Sequence, residues 1–291
     1  MSYAIAFGLM TALFWGVTDL LAQRAARAAG VVRTMIVNQA LGCCVLGLLL
    51  IVDCGQATQI FTAPLEAWAI AIVGAFFGIG ATLSLFRALA LAQVASVVPI
   101  VASYGAVTTL LAIASGDQIR RPLIFGLIAC ISGAILTAAS QSSQQNASAA
   151  NFARRSIPWS VTAAILYGFQ FFLLGREAVP VLGPIAPVMV YNLTGLIIYA
   201  LKLALVGSRS EPIERPAWRY MIGTGFTVLA GYVAISAGMK TGHVAVVTVL
   251  SSFQSPVTVV LAWLVFRDRI SHHQAAGLCL IVGGLICIHV G

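Results

Sequence analysis

Charge is what this sequence has least of: Asp, Glu, Lys and Arg make up 8% of its 291 residues, while 60% are hydrophobic. Soluble domains carry about 25% charged residues, so this composition cannot supply a water-facing surface for a globule of such length. With a mean hydropathy of +1.00, the chain is expected in a bilayer. Other absences narrow the chemistry. The six cysteines (Cys43, Cys44, Cys54, Cys130, Cys279, Cys287) form no CxxC and mostly lie in apolar stretches, where they are expected to act as small buried hydrophobes. The four histidines stand at segment ends with no HExxH, and no Ser/His/Asp set accompanies them, so neither a metal, a cofactor nor an enzyme is expected. No P-loop is present, which excludes an ATP-driven machine. No Lys or Arg precedes the first apolar stretch, so that stretch is read as a spanning helix and not as a cleaved leader.

What the chain has in abundance is apolar sequence. Runs of roughly 20 residues, the length that crosses a bilayer as a helix, recur near 4–22, 34–52, 66–86, 94–114, 122–140, 157–175, 184–205, 217–238, 244–266 and 273–290. Lipid offers backbone groups no partners, and the runs lack the alternation of barrel strands. The expectation is an all-α membrane protein with ten transmembrane helices.

The two halves repeat one another. At a shift of 151, Asp117, Ile119, Gly126 and Gly133 fall on Asp268, Ile270, Gly277 and Gly284. At 150, Trp68, Ile72, Phe76 and Val94 fall on Trp218, Ile222, Phe226 and Val244. Trp15-Gly16 with Arg24 falls on Tyr167-Gly168 with Arg176, and MIVN (35–38) falls on MVYN (189–192). Residues 1–140 are therefore expected to form a first repeat, 141–155 a linker and 156–291 a second repeat. Five spans is an odd number, so the second repeat enters from the opposite face, the inverted arrangement of many secondary transporters.

The net charge of +8 points to anionic lipid rather than nucleic acid, because Lys and Arg gather in cytoplasmic loops. Twelve cations follow predicted helices 1, 3, 5, 7 and 9, against Arg120, Arg121, Arg176 and Lys240 elsewhere. That count puts both termini outside the cytoplasm.

These features resemble a known family. LFWGVTDLLAQRA in helix 1, SPVTVVLAWLVFRDRIS in helix 9 and the closing GLCLIVGGLI look like the EamA-type bacterial exporters of the drug/metabolite transporter superfamily, and the size and layout are similar to its aromatic amino acid exporters. The resemblance implies transport across a bacterial plasma (inner) membrane by a multi-pass protein. It implies a cavity lined from helices 1, 3, 4, 6, 8 and 9, with helices 2 and 7 moving against it. It also implies cytoplasmic termini, the reverse of the charge count. The family's Trp-Gly falls on Trp15-Gly16 and its helix 9 proline on Pro256. In the first repeat that proline position holds Tyr104-Gly105, and Pro99 comes earlier, so equal bending of the two central helices does not follow. Pro99 and Pro256 are the candidate helix breaks.

Several polar and aromatic residues sit deep in the predicted spans. Asn192-Leu193-Thr194 fits the glycosylation pattern, but a glycan cannot reside in a bilayer. Asn38 and Asn192 instead form a pair across the repeats, either bonding helices together or facing a substrate. Ser251, Ser252, Gln254 and Ser255 cluster beside Pro256, and ASYG (102–105) occupies the comparable place. Trp15, Tyr104, Tyr167, Gln170, Tyr191, Tyr232 and Phe253 offer aromatic walls and hydroxyls for an amphipathic solute. Asp19 is the one carboxylate well inside a predicted helix and the ion-coupling candidate, although Arg24 lies one turn away. Arg87 either meets a substrate carboxylate or reaches the interface. The expected substrate-binding set is Trp15, Asn38, Tyr104, Tyr191, Asn192, Tyr232, Ser251, Phe253 and Gln254. The expected function is secondary export of small metabolites, amino acids foremost, by a monomer embedded in lipid. A multispanning enzyme and a channel are the alternatives.

Overall fold

A computed structural model of the chain describes residues 2–52, 62–116, seven positions between 125 and 136, 147–206, 213–242, 244–266 and 272–290. Most of predicted helix 5, the front of the linker, and Asp117, Arg120, Arg121, Cys54, Cys130 and 267–269 lie outside the described residues.

All regular structure among the described residues is helical. The helices are α1 (Ser2–Ala29), α2 (Val31–Val52), α3 (Leu65–Leu91), α4 (Val94–Val101), α5 (Tyr104–Ala114), α6 (Ala147–Leu173), α7 (Ala186–Val206), α8 (Arg215–Met239), α9 (Val244–Ser251), α10 (Gln254–Phe266) and α11 (His272–Val290). A π-turn at Leu174–Ala178 and a last turn at Val179–Leu182 extend α6. Among the described residues seven stretches are long and apolar enough to span a membrane: Ser2–Ala29, Val31–Ile51, Leu65–Leu91, Ser96–Ala114, Arg154–Leu182, Ala186–Leu205 and Arg215–Met239. Gln254–Val265 and Ala275–Gly284 are shorter apolar helices.

Two departures from the sequence expectation have local causes. The first helix does not stop near residue 22. The alanine-rich AQRAARAA continues it, since alanine is the strongest helix former. It ends only at Gly30, whose φ of 84° is open to glycine and costly to other residues. Further along, the expected single helices 94–114 and 244–266 are each interrupted, at Ala102-Ser103 and at Ser252-Phe253. In the second, Pro256 lacks an N–H and its ring crowds the carbonyl four residues back, on Ser252. In the first, counting from the break moves the equivalent place from the expected Tyr104-Gly105 to Ala106, again no proline, and Pro99 lies inside α4, ahead of the break. There the Ser103 hydroxyl bonds the Ile100 carbonyl and Gly105 follows, a serine–glycine pairing of the kind that kinks helices. The two interruptions share a position but not a cause.

Helix α1 lies along α8, and α3 along α6, with α2 against α7 and α8. Two close approaches lock the bundle. A Cβ on Gly16 of α1 would lie 2.5 Å from Val257 Cγ1 of α10, and one on Gly168 of α6 would lie 2.4 Å from Val107 Cγ1 of α5. Beside them Thr258 Oγ1 lies 3.4 Å from the Gly16 carbonyl oxygen, and Thr108 Oγ1 lies 3.2 Å from the Gly168 carbonyl oxygen. Glycines let backbones approach in lipid, where packing rather than the hydrophobic effect joins helices. Large apolar side chains such as Leu13, Leu48, Ile51, Phe76, Ile197 and Leu205 are exposed around the outside, as a lipid-facing surface requires.

Candidate functional site

The two interruptions face each other. The Cβ that Gly105 lacks would lie 2.9 Å from Ser252 Oγ, and the hydroxyls of Tyr104 and Ser251 are 2.7 Å apart. Tyr104 is the first residue of α5 and Gln254 the first of α10, and both line a central cavity. Helical spacing delivers the rest of the wall: Trp15, Thr18 and Asp19 from α1; Thr82, Leu85 and Phe86 from α3; Tyr167 and Phe171 from α6; Val228 and Tyr232 from α8. The cavity volume is about 30 Å³, on a scale where one water needs about 10–15 Å³.

Asp19 is only 2% exposed. Its Oδ2 accepts a hydrogen bond from Thr258 Oγ1 at 3.0 Å, tying α1 to the second turn of α10. Arg24 does not reach it; that guanidinium lies over the Tyr220 ring, 5.4 Å from its centroid. The Gln254 Oε1 is buried without a hydrogen-bond partner among the described residues.

The aromatic residues form one network. Trp15 meets Tyr232 edge-on at 5.3 Å and tilts against Phe171 at 5.6 Å, while Tyr104 lies 5.1 Å and Tyr167 5.7 Å from Phe171. Tyr191 and Tyr232 are 4.8 Å apart. Each such pair contributes about 0.5–1.5 kcal/mol beyond its area. Thr82 is the polar hinge of the network, its hydroxyl 2.9 Å from Tyr167 and 2.8 Å from Tyr191.

A smaller niche of about 10 Å³ adjoins the cavity, sharing Thr82, Val228 and Tyr232 with it, and Asn38, Gln39, Tyr191 and Asn192 also line it. The two asparagines come together here but are not alike. Asn192 Nδ2 donates to the Val188 carbonyl at 2.8 Å, and its Oδ1 would be 2.0 Å from a Cβ on Gly42. The Asn38 Oδ1 is buried with no hydrogen-bond partner among the described residues. Asn192 is 4% exposed, within α7, so it is no glycan acceptor.

Of the expected residues, Trp15, Asp19, Tyr104, Tyr232 and Gln254 line the cavity, and Asn38, Tyr191, Asn192 and again Tyr232 line the niche. Ser251 lies behind the wall, bonding Tyr104 and the Thr248 carbonyl. Phe253 is half-buried and belongs to neither lining. Arg87 sits over the Trp159 ring at 4.7 Å and lines neither cavity. Sequence reading missed Thr18, Gln39, Thr82, Phe86, Phe171 and Thr258. The hydroxyls had no distinguishing signal, because threonine in an apolar helix ordinarily bonds its own preceding turn. Phe171 had one: it stands four residues after Tyr167.

No curated protein matches the chain. Among the solved structures that do, one described only as the crystal structure of a protein superposes with a TM-score of 0.73 at 20% identity, over 100% of this chain and 97% of its own. That likeness shows the fold. A model described as the EamA-like transporter family matches residues 2–139 and again residues 154–290, so nearly the whole length is accounted for, and the chain belongs to the EamA-like transporter family of the drug/metabolite transporter superfamily.

Proposed function

We propose that this membrane transporter exports small amphipathic metabolites, amino acids being the first class to test, by alternating access through the central cavity. The observation that carries the reading is the cavity itself: segments from both halves place buried Asp19 and Gln254 among aromatic rings at the meeting point of two interrupted helices. Interrupted helices at a repeat interface are how transporters build solute sites within the bilayer. Room for about two waters cannot hold an amino acid, so the surrounding helices must part for transport, with α2 and α7 the expected moving pair. Asp19 is the candidate for ion coupling.

In this reading residues 1–140 and 156–291 are inverted five-helix repeats, ten spans in all, joined by 141–155. The paired contacts Gly16–Val257 and Gly168–Val107 support it, since exchanging the halves converts one contact into the other. The protein works as a monomer in a bacterial inner membrane. Counterflow in proteoliposomes tests the carrier mechanism: saturable exchange of labelled amino acid is expected. Flux that rises without saturation would instead identify a channel. A resistance screen, comparing overexpressing with empty cells on toxic levels of aromatic and other amino acids, selects the solutes to load.

A further inference from the structure

The central cavity is one-sided in charge. Among the described residues Asp19 is its one charged residue, and no Lys, Arg or His of them lines either it or the adjoining niche. The arginines of α1 and α3 are occupied elsewhere: Arg24 over Tyr220, Arg27 on the Ala92 carbonyl at 2.9 Å, and Arg87 over Trp159. Among the described residues Asp19 has Thr258 as its one hydrogen-bond partner, through Oδ2, which leaves Oδ1 for an incoming donor. Around it stand the rings of Trp15, Tyr104, Tyr167, Phe171 and Tyr232. Aromatic faces attract a cation, most strongly where water is excluded. Against a carboxylate, the described wall offers only neutral donors: hydroxyls, the Gln254 amide and the Trp15 indole N–H, which already points to the Val228 carbonyl at 3.4 Å.

Charge balance sharpens this. A protonated amine beside ionised Asp19 leaves the closed cavity without net charge. A zwitterionic amino acid brings its own carboxylate and leaves one negative charge, which a nonpolar surround penalises heavily unless a coupled cation enters with the solute. We propose that the site selects monocationic amines with a flat apolar body over zwitterionic amino acids, the ammonium on Asp19 Oδ1 and the body among the rings. This rests on the central cavity being the transport site, and it narrows the substrate class within that reading.

The test uses three solutes with one ring and nearly one length: 2-phenylethylamine, phenylalanine and 3-phenylpropionate. Each is titrated against the full-length protein in detergent, with binding followed by tryptophan fluorescence against protein-free micelles. Phenylethylamine is expected to bind roughly tenfold or more tighter than phenylalanine, with phenylpropionate weakest. Asp19→Asn is expected to remove that preference. Equal or tighter binding of phenylalanine overturns the proposal, as does an unchanged amine affinity in Asp19→Asn or no binding by any of the three. Because the series on the wild-type protein decides by itself, a misfolded variant does not rescue the idea. Counterflow with the same solutes separates the two readings. Saturable amino acid exchange without amine exchange leaves the transporter reading standing and sinks the amine proposal, whereas no saturable flux of any solute sinks both.

Discussion

The close approaches at Gly16 and Gly168 set up a quantitative test of how the halves are held. A Cβ added at Gly16 would lie 2.5 Å from Val257 Cγ1 and 3.0 Å from Val257 Cβ. Unstrained carbon contacts are about 3.5–4.0 Å, so Gly16→Ala must part α1 from α10 by about 1 Å or force Val257 from its rotamer. Overpacking of that kind costs about 1–3 kcal/mol, a drop of several degrees in thermal midpoint at about 2–4 °C per kcal/mol. Gly168→Ala meets Val107 Cγ1 at 2.4 Å and Val107 Cβ at 2.5 Å, and the same loss is expected. Val257→Ala removes the clashing methyls, so the double variant Gly16→Ala/Val257→Ala should recover most of the stability, with a coupling of about 1–3 kcal/mol. Val257→Ala should not rescue Gly168→Ala, whose clash is with Val107. The assay is thermal unfolding in detergent by tryptophan fluorescence, with size exclusion to confirm a single species. A Gly16→Ala midpoint equal to wild type, or a double variant no more stable than Gly16→Ala, refutes the packing argument.

Three further outcomes are expected. Thr82→Val strips the shared partner from two buried tyrosine hydroxyls 2.9 and 2.8 Å away and should cost about 1–3 kcal/mol. Thr82→Ser should restore it, and equal midpoints for the two variants would contradict the bridge. Asn38→Leu should cut cellular export while leaving the midpoint near wild type, because its Oδ1 bonds nothing among the described residues; Asn192→Leu should chiefly lower the midpoint, since that side chain is wedged against Gly42. Wild-type export from both variants, at intact expression, would remove these amides from the site. Asp19→Asn should reduce flux in proteoliposomes by roughly tenfold or more without loss of folded protein, and undiminished flux would exclude Asp19 from coupling and from solute binding alike.

Much of the architecture was legible because its causes are local. Long apolar runs in a chain so poor in charge have one stable form in lipid, the helix, since every backbone group must find its partner within the segment. Repeat matches such as Trp15-Gly16 on Tyr167-Gly168 rest on composition at fixed spacing and needed no coordinates. The Asn38/Asn192 pair was visible for the same reason, and so was the solitary carboxylate of Asp19.

What stayed hidden depends on contacts between residues far apart in the chain. The break at Ala102-Ser103 has no proline at the position that interrupts the second half, and only the facing of Gly105 against Ser252 shows that the two breaks meet. Thr258 reads as an ordinary helical threonine until α1 brings Asp19 within 3.0 Å. Thr82 reads likewise until α6 and α7 deliver two tyrosines to it. Which asparagine is satisfied and which is left open was beyond any pattern, because the difference lies in the neighbour across the interface. Sequence by itself determined that the chain is a repeated bundle of membrane helices, since backbone satisfaction and hydrophobicity act within a segment. Tertiary structure alone decided which hydroxyls, rings and carboxylate converge on one small cavity, because that convergence is set by the packing of helices against one another.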